Sequence, residues 1–358
     1  MPVRRSNVAL IEALAAVAPG RPLREGIDRI LQASMGALIV VGDGPEVLNI
    51  CSGGFLMDAE FSPQRLSELA KMDGAIILAA DATRIARANV HLVPSPDVST
   101  SETGTRHRTA ERVARSIDVP VISVSEELSL IAVYRNDRKH VLEPIPRLLA
   151  RANQGLQTLE RYKARLDAVS GSLSALEVED LVTVRDVVTV LQRAEMVRRI
   201  AEELDGYIVE LGVDGRLVLL QLEELMGGVD DDRRFVIKDY FRAQPAHLDN
   251  AMETLSTLST ESLLDLKVVA DVLQLPPEAK ELDAGLQPRG YRLLSKIPRL
   301  PDAVVERIIQ RFANLQKILR ATTADLDDVE GVGDTRARAI KEGLTRLAET
   351  SILDRYNS

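Results

Sequence analysis

Between Leu149 and Leu176 the apolar residues advance by threes and fours: Leu149, Ala152, Leu156, Leu159, Tyr162, Leu166, Val169, Leu173 and Leu176. That spacing puts them all on one stripe of an α-helix and scatters them over both faces of a strand. A long amphipathic helix with a coiled-coil-like seam must therefore run through the middle of the chain. Pro144 and Pro146 punctuate its start, and the two sides of it read differently. Upstream lie four short β-branched apolar runs, "GALIVVGD" (36–43), "GAIILAAD" (74–81), "VPVISVS" (119–125) and "LSLIAVYR" (128–135). Helical patterns separate them, such as 62–71 with Leu66, Leu69 and Ala70 on one face. Near-continuous apolar strands alternating with helices predict a mixed sheet covered on both faces. Downstream, helical pattern continues to about residue 283, with breaks expected at Gly206, at "MGGVDDDRR" (226–234) and at Pro276–Pro277. The expected architecture is multidomain, α/β followed by all-α: an α/β domain over 1–142, a helical region over 143–288 and a separate C-terminal domain over 289–358.

Composition removes several classes of function. Aromatic residues are 3% of the chain and Trp is absent, which disfavours stacking platforms for single-stranded nucleic acid. One cysteine, Cys51, excludes an intrachain disulfide and a cysteine zinc site, and reads as a small buried apolar residue. No apolar run approaches the ~20 residues that span a bilayer. The N-terminal "MPVRRSNVALIEALAAVAPG" resembles a weak signal peptide, but Glu12 interrupts it. Helical spacing of Val8, Ile11, Leu14 and Ala15 explains it better, so a cytoplasmic protein is expected. The acidic run Asp230–Asp232 reads as a solvated turn.

The chain carries a net charge of −9, yet residues 289–358 hold 13 Lys/Arg against 10 Asp/Glu. A local +3 in an acidic protein makes this tail the region expected to meet a polyanion. Within it, "DLDDVEGVGDTRARAIKEGLTRL" (325–347) has the form helix, tight glycine turn, helix. Gly331 and Gly333 permit positive φ and close backbone approach, and the next helix offers free N–H groups and the positive end of its dipole. Arg336, Arg338 and Lys341 follow in the first turns. The pattern resembles a helix–hairpin–helix motif, which grips DNA phosphates and reads little sequence. "LSKIPRLPDAVVERIIQRF" (294–312) looks like a degenerate second copy in which Pro298 and Pro301 replace the glycines. The alternative is an ordinary helical turn with a glycine cap.

A different cluster marks the N-terminal domain. In "TGTRHRTAERVARS", Ala110, Val113, Ala114 and Ile117 trace a buried helix face, so Arg106, His107 and Arg108 stand at the helix start. The dipole there disfavours cations by ~0.3–1 kcal/mol each. Two arginines in that place make sense when an anion binds between them, with Thr105 and Thr109 completing a phosphate cradle. Pairing of both arginines with Glu102 and Glu111 is the bland alternative. Asp73, followed by Gly74 and Ala75 at the start of an apolar strand, is a reasonable ligand for Mg²⁺ or Mn²⁺, although aspartate-glycine is also a common turn. No GxxxxGK[ST] loop is present, which disfavours a P-loop ATPase.

The segments "KMDGAIILAADATRI", "NVHLVPSPDVSTSETGTRHRTAERVA" and "VPVISVSEELSLIAVY" resemble the diadenylate cyclase domain of the DisA family of DNA integrity scanning proteins. The helical middle and the hairpin tail match that family's three-part plan, more by pattern than by residue. The resemblance implies condensation of two ATP into cyclic di-AMP with release of two pyrophosphates. It implies inhibition by branched DNA such as Holliday junctions, a role in DNA-damage signalling, and a homo-octamer in which two cyclase domains face each other. Asp73 would bind the metal and help activate the ribose 3′-hydroxyl. Arg106, His107 and Arg108 would hold the triphosphate with Thr105, Thr109 and Ser125, while Gly74 and Leu92 would line the adenine pocket and Ala75 would also belong to the ATP site. Glu126 and Glu127 depart from the neutral or basic residues of some relatives, and Glu126 is expected to face solvent. The competing expectations are a DNA-scanning scaffold that binds ATP without cyclising it and a plain hairpin repair adaptor, which leaves the first 142 residues unexplained.

Overall fold

The computed structural model describes residues 2–241, 248–275 and 281–357, with side chains over 8–241, 248–275 and 281–350. The expected break at Pro276–Pro277 lies outside the described residues. The chain divides into two compact units: Met1–Gln154 with Leu204–Leu220, and Gly155–Glu203 with Gln221–Ser358.

In the first unit, eight strands form one sheet: β1 (Ala37–Val41), β2 (Cys51–Ser52), β3 (Phe55–Glu60), β4 (Ala75–Leu78), β5 (Arg84–Leu92), β6 (Val121–Ser125), β7 (Leu130–Arg135) and β8 (Arg138–Val141). Their order is β2-β5-β4-β1-β6-β7-β8, and β3 pairs with the other end of β5. Only β1 and β4 run parallel; every other pair is antiparallel. The helices are α1 (Pro2–Ala16), α2 (Pro22–Gln32), α3 (Pro45–Asn49), α4 (Pro63–Leu69) and α5 (Thr105–Ser116).

Strand alternation divides the apolar side chains between two cores. Ile39, Ile76, Leu78, Ile122, Val124 and Val133 pack on one face against Leu14, Ile27, Ile30 and Leu66 of α1, α2 and α4. Leu38, Val40, Ile77, Val90, Val121 and Tyr134 pack on the other against Ala110, Val113 and Ala114 of α5. The sheet is covered on both faces, as its apolar runs require.

Three details differ from the periodicity. In α1 the buried residues include Leu10, Ala13 and Leu14, while Val8 and Ile11 are exposed. The strands β2, β5 and β8 carry no apolar run, and the Phe55–Met57 run of β3 lies exposed; β8 reads Arg-Lys-His-Val, and Arg84 and Arg87 interrupt β5. Cys51 is half-buried, its thiol donating to the Val47 carbonyl at 3.2 Å and pushed up in pKa by burial.

The seam helix, α6 (Ile145–Glu179), is followed by α7 (Val184–Leu211), α8 (Arg216–Met226) and α9 (Val229–Tyr240). Ala152, Leu156, Leu159, Leu166 and Leu173 of the seam are fully buried, and the other four half-buried. α7 runs straight through Gly206; the break comes at Gly212, where φ is +53° and a side chain would strike the Pro19 carbonyl at 2.4 Å. Gly227 and Gly228 separate α8 from α9, but Asp230–Asp232 form the first turn of α9, where the dipole favours them, instead of a free turn.

The second unit continues with α10 (Leu248–Thr257), α11 (Thr260–Leu264), α12 (Leu266–Asp271), α13 (Tyr291–Ser295), α14 (Asp302–Phe312), α15 (Leu315–Arg320), α16 (Thr323–Asp327) and α17 (Gly333–Asn357). A buried polar network ties α6, α9 and α13 together. Arg292, 0% exposed, donates to the Glu177 carboxylate at 2.5 and 3.2 Å and to the hydroxyls of Ser170 and Ser174. The Tyr240 hydroxyl also donates to Glu177, at 2.8 Å. Asp239 accepts the N–H groups of Gly290, Tyr291 and Arg292, capping α13. Among the described residues no helix is long and apolar enough to cross a membrane.

Candidate active site

One end of the sheet gathers the residues singled out in the N-terminal domain. Asp73 and Gly74 precede β4, Leu92 ends β5, Ser125 ends β6, and Thr105–Thr109 open α5. Parallel β1 and β4 both start at this end, so Gly36, just before β1, joins them. Arg106 lies directly over Gly36: a Cβ there would sit 2.2 Å from its Nη1. From that seat Arg106 donates to the Asp73 carboxylate at 2.7 Å. The pair joins the loop before β4 to the first turn of α5, 33 residues away in sequence, and neither partner is buried: the Asp73 side chain is 93% exposed.

Gly74 is required by space. A Cβ would stand 2.4 Å from the carbonyl carbon of Asn89, whose backbone, at φ +53°, presses against it. The register slips between Ala75 and Ile77 at this place, so the strand bends and carries Asp73 outward. Ala75 and Leu92 are buried in the sheet core.

At the helix start, Gly104 takes the cap position with no side-chain bond, leaving the first N–H groups of α5 free. Thr105 is exposed, and the Thr109 hydroxyl donates to the Thr105 carbonyl at 2.9 Å. Arg108 is exposed and makes no hydrogen bond or ion pair among the described residues. The arginines do not pair with Glu102 or Glu111. Glu102 accepts from Lys139 at 2.6 Å, and Glu111 from Thr100, Ser101 and Arg115. Arg108 is thus left exposed, while Arg106 is half-buried over Gly36 and paired with Asp73. His107 turns inward instead, its Nδ1 2.9 Å from the hydroxyl of Tyr134 on β7. Burial holds the imidazole below its ordinary pKa, with Lys139 and Arg106 acting the same way and Glu102 against them. Ser125 is half-buried and its hydroxyl accepts from the Leu128 N–H at 3.4 Å; Glu126 and Glu127 face solvent.

For a divalent cation the site offers the single carboxylate of Asp73; among the described residues no group of three His, Cys, Asp or Glu is placed to hold one. One oxygen ligand fits a Mg²⁺ or Mn²⁺ that arrives on a polyphosphate with its own phosphate and water oxygens, not a resident ion.

Gly36, Asn89, Tyr134 and Lys139 were not singled out by the sequence, and Glu102 only as an arginine partner. Their roles come from long-range register, and only the Glu102 carboxylate, weighed as an arginine partner, left a local signal.

The tail places Gly331 (φ +85°) in the turn between α16 and α17 and Gly333 (φ +65°) at the first residue of α17. The turn between α13 and α14 holds Arg299 at φ +63°, the same backbone conformation without glycine. Arg336 bonds the Gly331 carbonyl at 2.6 Å and Arg338 pairs with Asp334 at 2.8 Å. Lys341 is turned away from that turn, onto the carbonyls of Leu319 and Ala321.

Residues 24–139 match the family described as DisA bacterial checkpoint controller nucleotide-binding, and residues 142–282 match the DisA bacterial checkpoint controller linker region. The DNA integrity scanning protein DisA of Frankia alni is 57% identical over 345 residues, 96% of either chain. Its counterpart in Kineococcus radiotolerans is 55% identical over 358 residues, 99% of this chain and 100% of that one. The Streptomyces coelicolor counterpart is 52% identical over 348 residues, 96% and 93% of the two chains. With identity of this level along nearly the whole length of each relative, and with both the nucleotide-binding and linker regions matched in order, the chain belongs to the DisA family.

Proposed function

We propose that the protein is a diadenylate cyclase, which joins two ATP into cyclic di-AMP and releases two pyrophosphates. The observation that carries this reading is the convergence of Asp73, Arg106, Arg108 and the free N–H groups of α5 at one end of the sheet. Arg106 and Arg108 hold the triphosphate with Thr105, Thr109 and Ser125, as charged donors around an anion. Gly74, Ala75 and Leu92 line the adenine side. Asp73 holds Mg²⁺ or Mn²⁺ on the incoming nucleotide; when bound, the cation neutralises phosphate charge and polarises the attacking 3′-hydroxyl. Arg106 then exchanges its bond with Asp73 for one with phosphate. The protein's contribution is positioning and charge stabilisation, the usual terms of phosphoryl transfer.

Each chain supplies one such site, so two chains must face each other to join two nucleotides, and the octameric assembly implied by the family would provide that. The three-part division, 1–142 catalytic, 143–288 helical and 289–358 DNA-binding, stands as part of the same proposal. In it the Gly331–Gly333 turn grips phosphate with Arg336 and Arg338 near it, Lys341 ties α17 to the end of α15, and branched DNA lowers synthesis. The test is to incubate the full-length protein with ATP and Mg²⁺ or Mn²⁺ and identify products by mass spectrometry. A cyclic dinucleotide supports the reading; ATP that binds and is recovered unchanged favours the scaffold.

A further inference from the structure

The hairpin turn before α17 is bracketed by side chains that its own segment does not supply. Val304 and Ile308 of α14 share one core with Val329 and Val332 of the turn. From the same helix, Arg307 reaches over Gly331. A Cβ on that glycine would stand 2.9 Å from the Arg307 Nη2 and 3.4 Å from its guanidinium carbon. Arg311, one turn further along α14, meets Asp328 of the same loop at 3.5 Å.

Neither arginine has a close partner. Guanidinium–carboxylate pairs close to ~2.7–2.9 Å when they form well. The Arg307–Glu330 pair spans 3.9 Å. The Arg307 Nε is buried without a hydrogen-bond partner, which leaves a donor unsatisfied. Both carboxylates stand mostly in water, the Glu330 side chain 88% exposed and that of Asp328 70%. The cations expected from the sequence are engaged elsewhere. Lys341 donates to the carbonyls of Leu319 and Ala321, Arg336 to that of Gly331, and Arg338 forks onto Asp334 at 3.2 and 2.8 Å.

A phosphate oxygen taken by the first N–H groups of α17 comes to rest beside Gly331, where a guanidinium is already seated. Resting on the DNA-binding reading above, we infer that Arg307 and Arg311 of α14 are DNA phosphate ligands at the Gly331 turn, and that Glu330 and Asp328 hold them loosely until DNA arrives. Binding exchanges two long carboxylate pairs for charge-assisted bonds to phosphodiester oxygens, and no covalent bond changes. The glycine-free copy over 294–312 thereby gains a part in binding: it carries arginines to the turn of the second copy.

The test is the affinity of the full-length protein for a four-way junction and for a plain duplex, measured against salt, in the wild type, Arg307→Gln, Arg307→Lys and Arg311→Gln. Each phosphate contact contributes about 0.9 to the slope of log affinity on log salt for duplex DNA. Arg307→Gln and Arg311→Gln should each flatten the slope by about one. Arg307→Lys should keep the slope, because the charge remains, and lose part of the affinity with the fork. A second set separates competition for the arginine from general repulsion of DNA. Asp327→Asn removes one negative charge from an exposed residue that has no ion pair among the described residues. Glu330→Gln should tighten binding more than Asp327→Asn does. In a double-mutant cycle that excess should disappear once Arg307→Gln is added. A wild-type slope in Arg307→Gln or in Arg311→Gln overturns the inference, as does a Glu330→Gln excess that survives in full without Arg307. A wild type that binds neither junction nor duplex overturns the DNA-binding reading instead.

Discussion

Asp73 contributes little to the fold: its side chain is 93% exposed and its ion pair with Arg106 is of the surface kind, worth ~0–1 kcal/mol. Asp73→Asn keeps the shape and removes the charge a hard cation needs. The expected outcome is loss of cyclic di-AMP synthesis with unchanged thermal unfolding, and an active variant at ordinary metal concentration would remove Asp73 from its role. Gly74→Ala should behave differently. Its Cβ would stand 2.4 Å from the Asn89 backbone, which cannot swing aside, so the variant should lose activity and also about 1–3 kcal/mol of stability in denaturant titration. At this scale the sequence was informative where function is local. Asp73-Gly74-Ala75 and Arg106-His107-Arg108 are contiguous and chemically odd for their positions. Tyr134 and Gly36 are ordinary strand-region residues until the register β1–β6–β7 brings them under α5.

Elements show the same split between periodic and long-range information. The seam of α6 was legible because one repeat runs through it, whereas β5 and β8 were hidden by arginines that the sheet tolerates near its edges. Two element contacts are testable. On β8, His140 Nε2 lies 2.7 Å from the Glu210 carboxylate of α7, which also accepts the Glu143 N–H. That bond raises the His140 pKa above its ordinary value. The folded state therefore binds the proton more tightly, so the contribution is complete below about pH 6.5 and is lost as pH rises through the folded value. The thermal midpoint should decline over that interval, and His140→Gln should flatten the decline; an equal pH dependence in both proteins would contradict it. Deeper in the second unit, Arg292→Met leaves the Glu177 carboxylate buried with the neutral Tyr240 hydroxyl in place of a cation. Removing one member of a buried pair costs about 3–5 kcal/mol, and Arg292→Met with Glu177→Met should recover most of it. Chemical denaturation of the single and double variants measures this.

For the whole molecule, composition and motifs lead to the expected three-part division, because the character of the chain changes at Pro144 and its charge near Arg289, whereas the structure falls into two compact units. What they did not reveal is how closely the tail is built into the helical region. Asp239 caps α13, Arg292 reaches Glu177, and Gln316 donates to the carbonyls of Glu177 and Val178, all within one unit. Deleting the tail would uncover these groups, so point changes are the cleaner probe of DNA binding. Gly331→Val places a β-branched residue at φ +85°, with its Cβ 2.9 Å from Arg307. It should abolish junction binding and leave cyclic di-AMP synthesis intact but indifferent to junction DNA, because an effector acts only through a site that binds it. In the unaltered protein, DNA affinity should fall steeply with salt. The central claim is the chemistry at the head of α5, and product analysis tests it most directly. Full-length protein incubated with ATP and Mg²⁺ or Mn²⁺ should yield cyclic di-AMP and two pyrophosphates per product, and Arg106→Ala should not. Recovery of unchanged ATP from a folded, ATP-binding wild type would contradict the account.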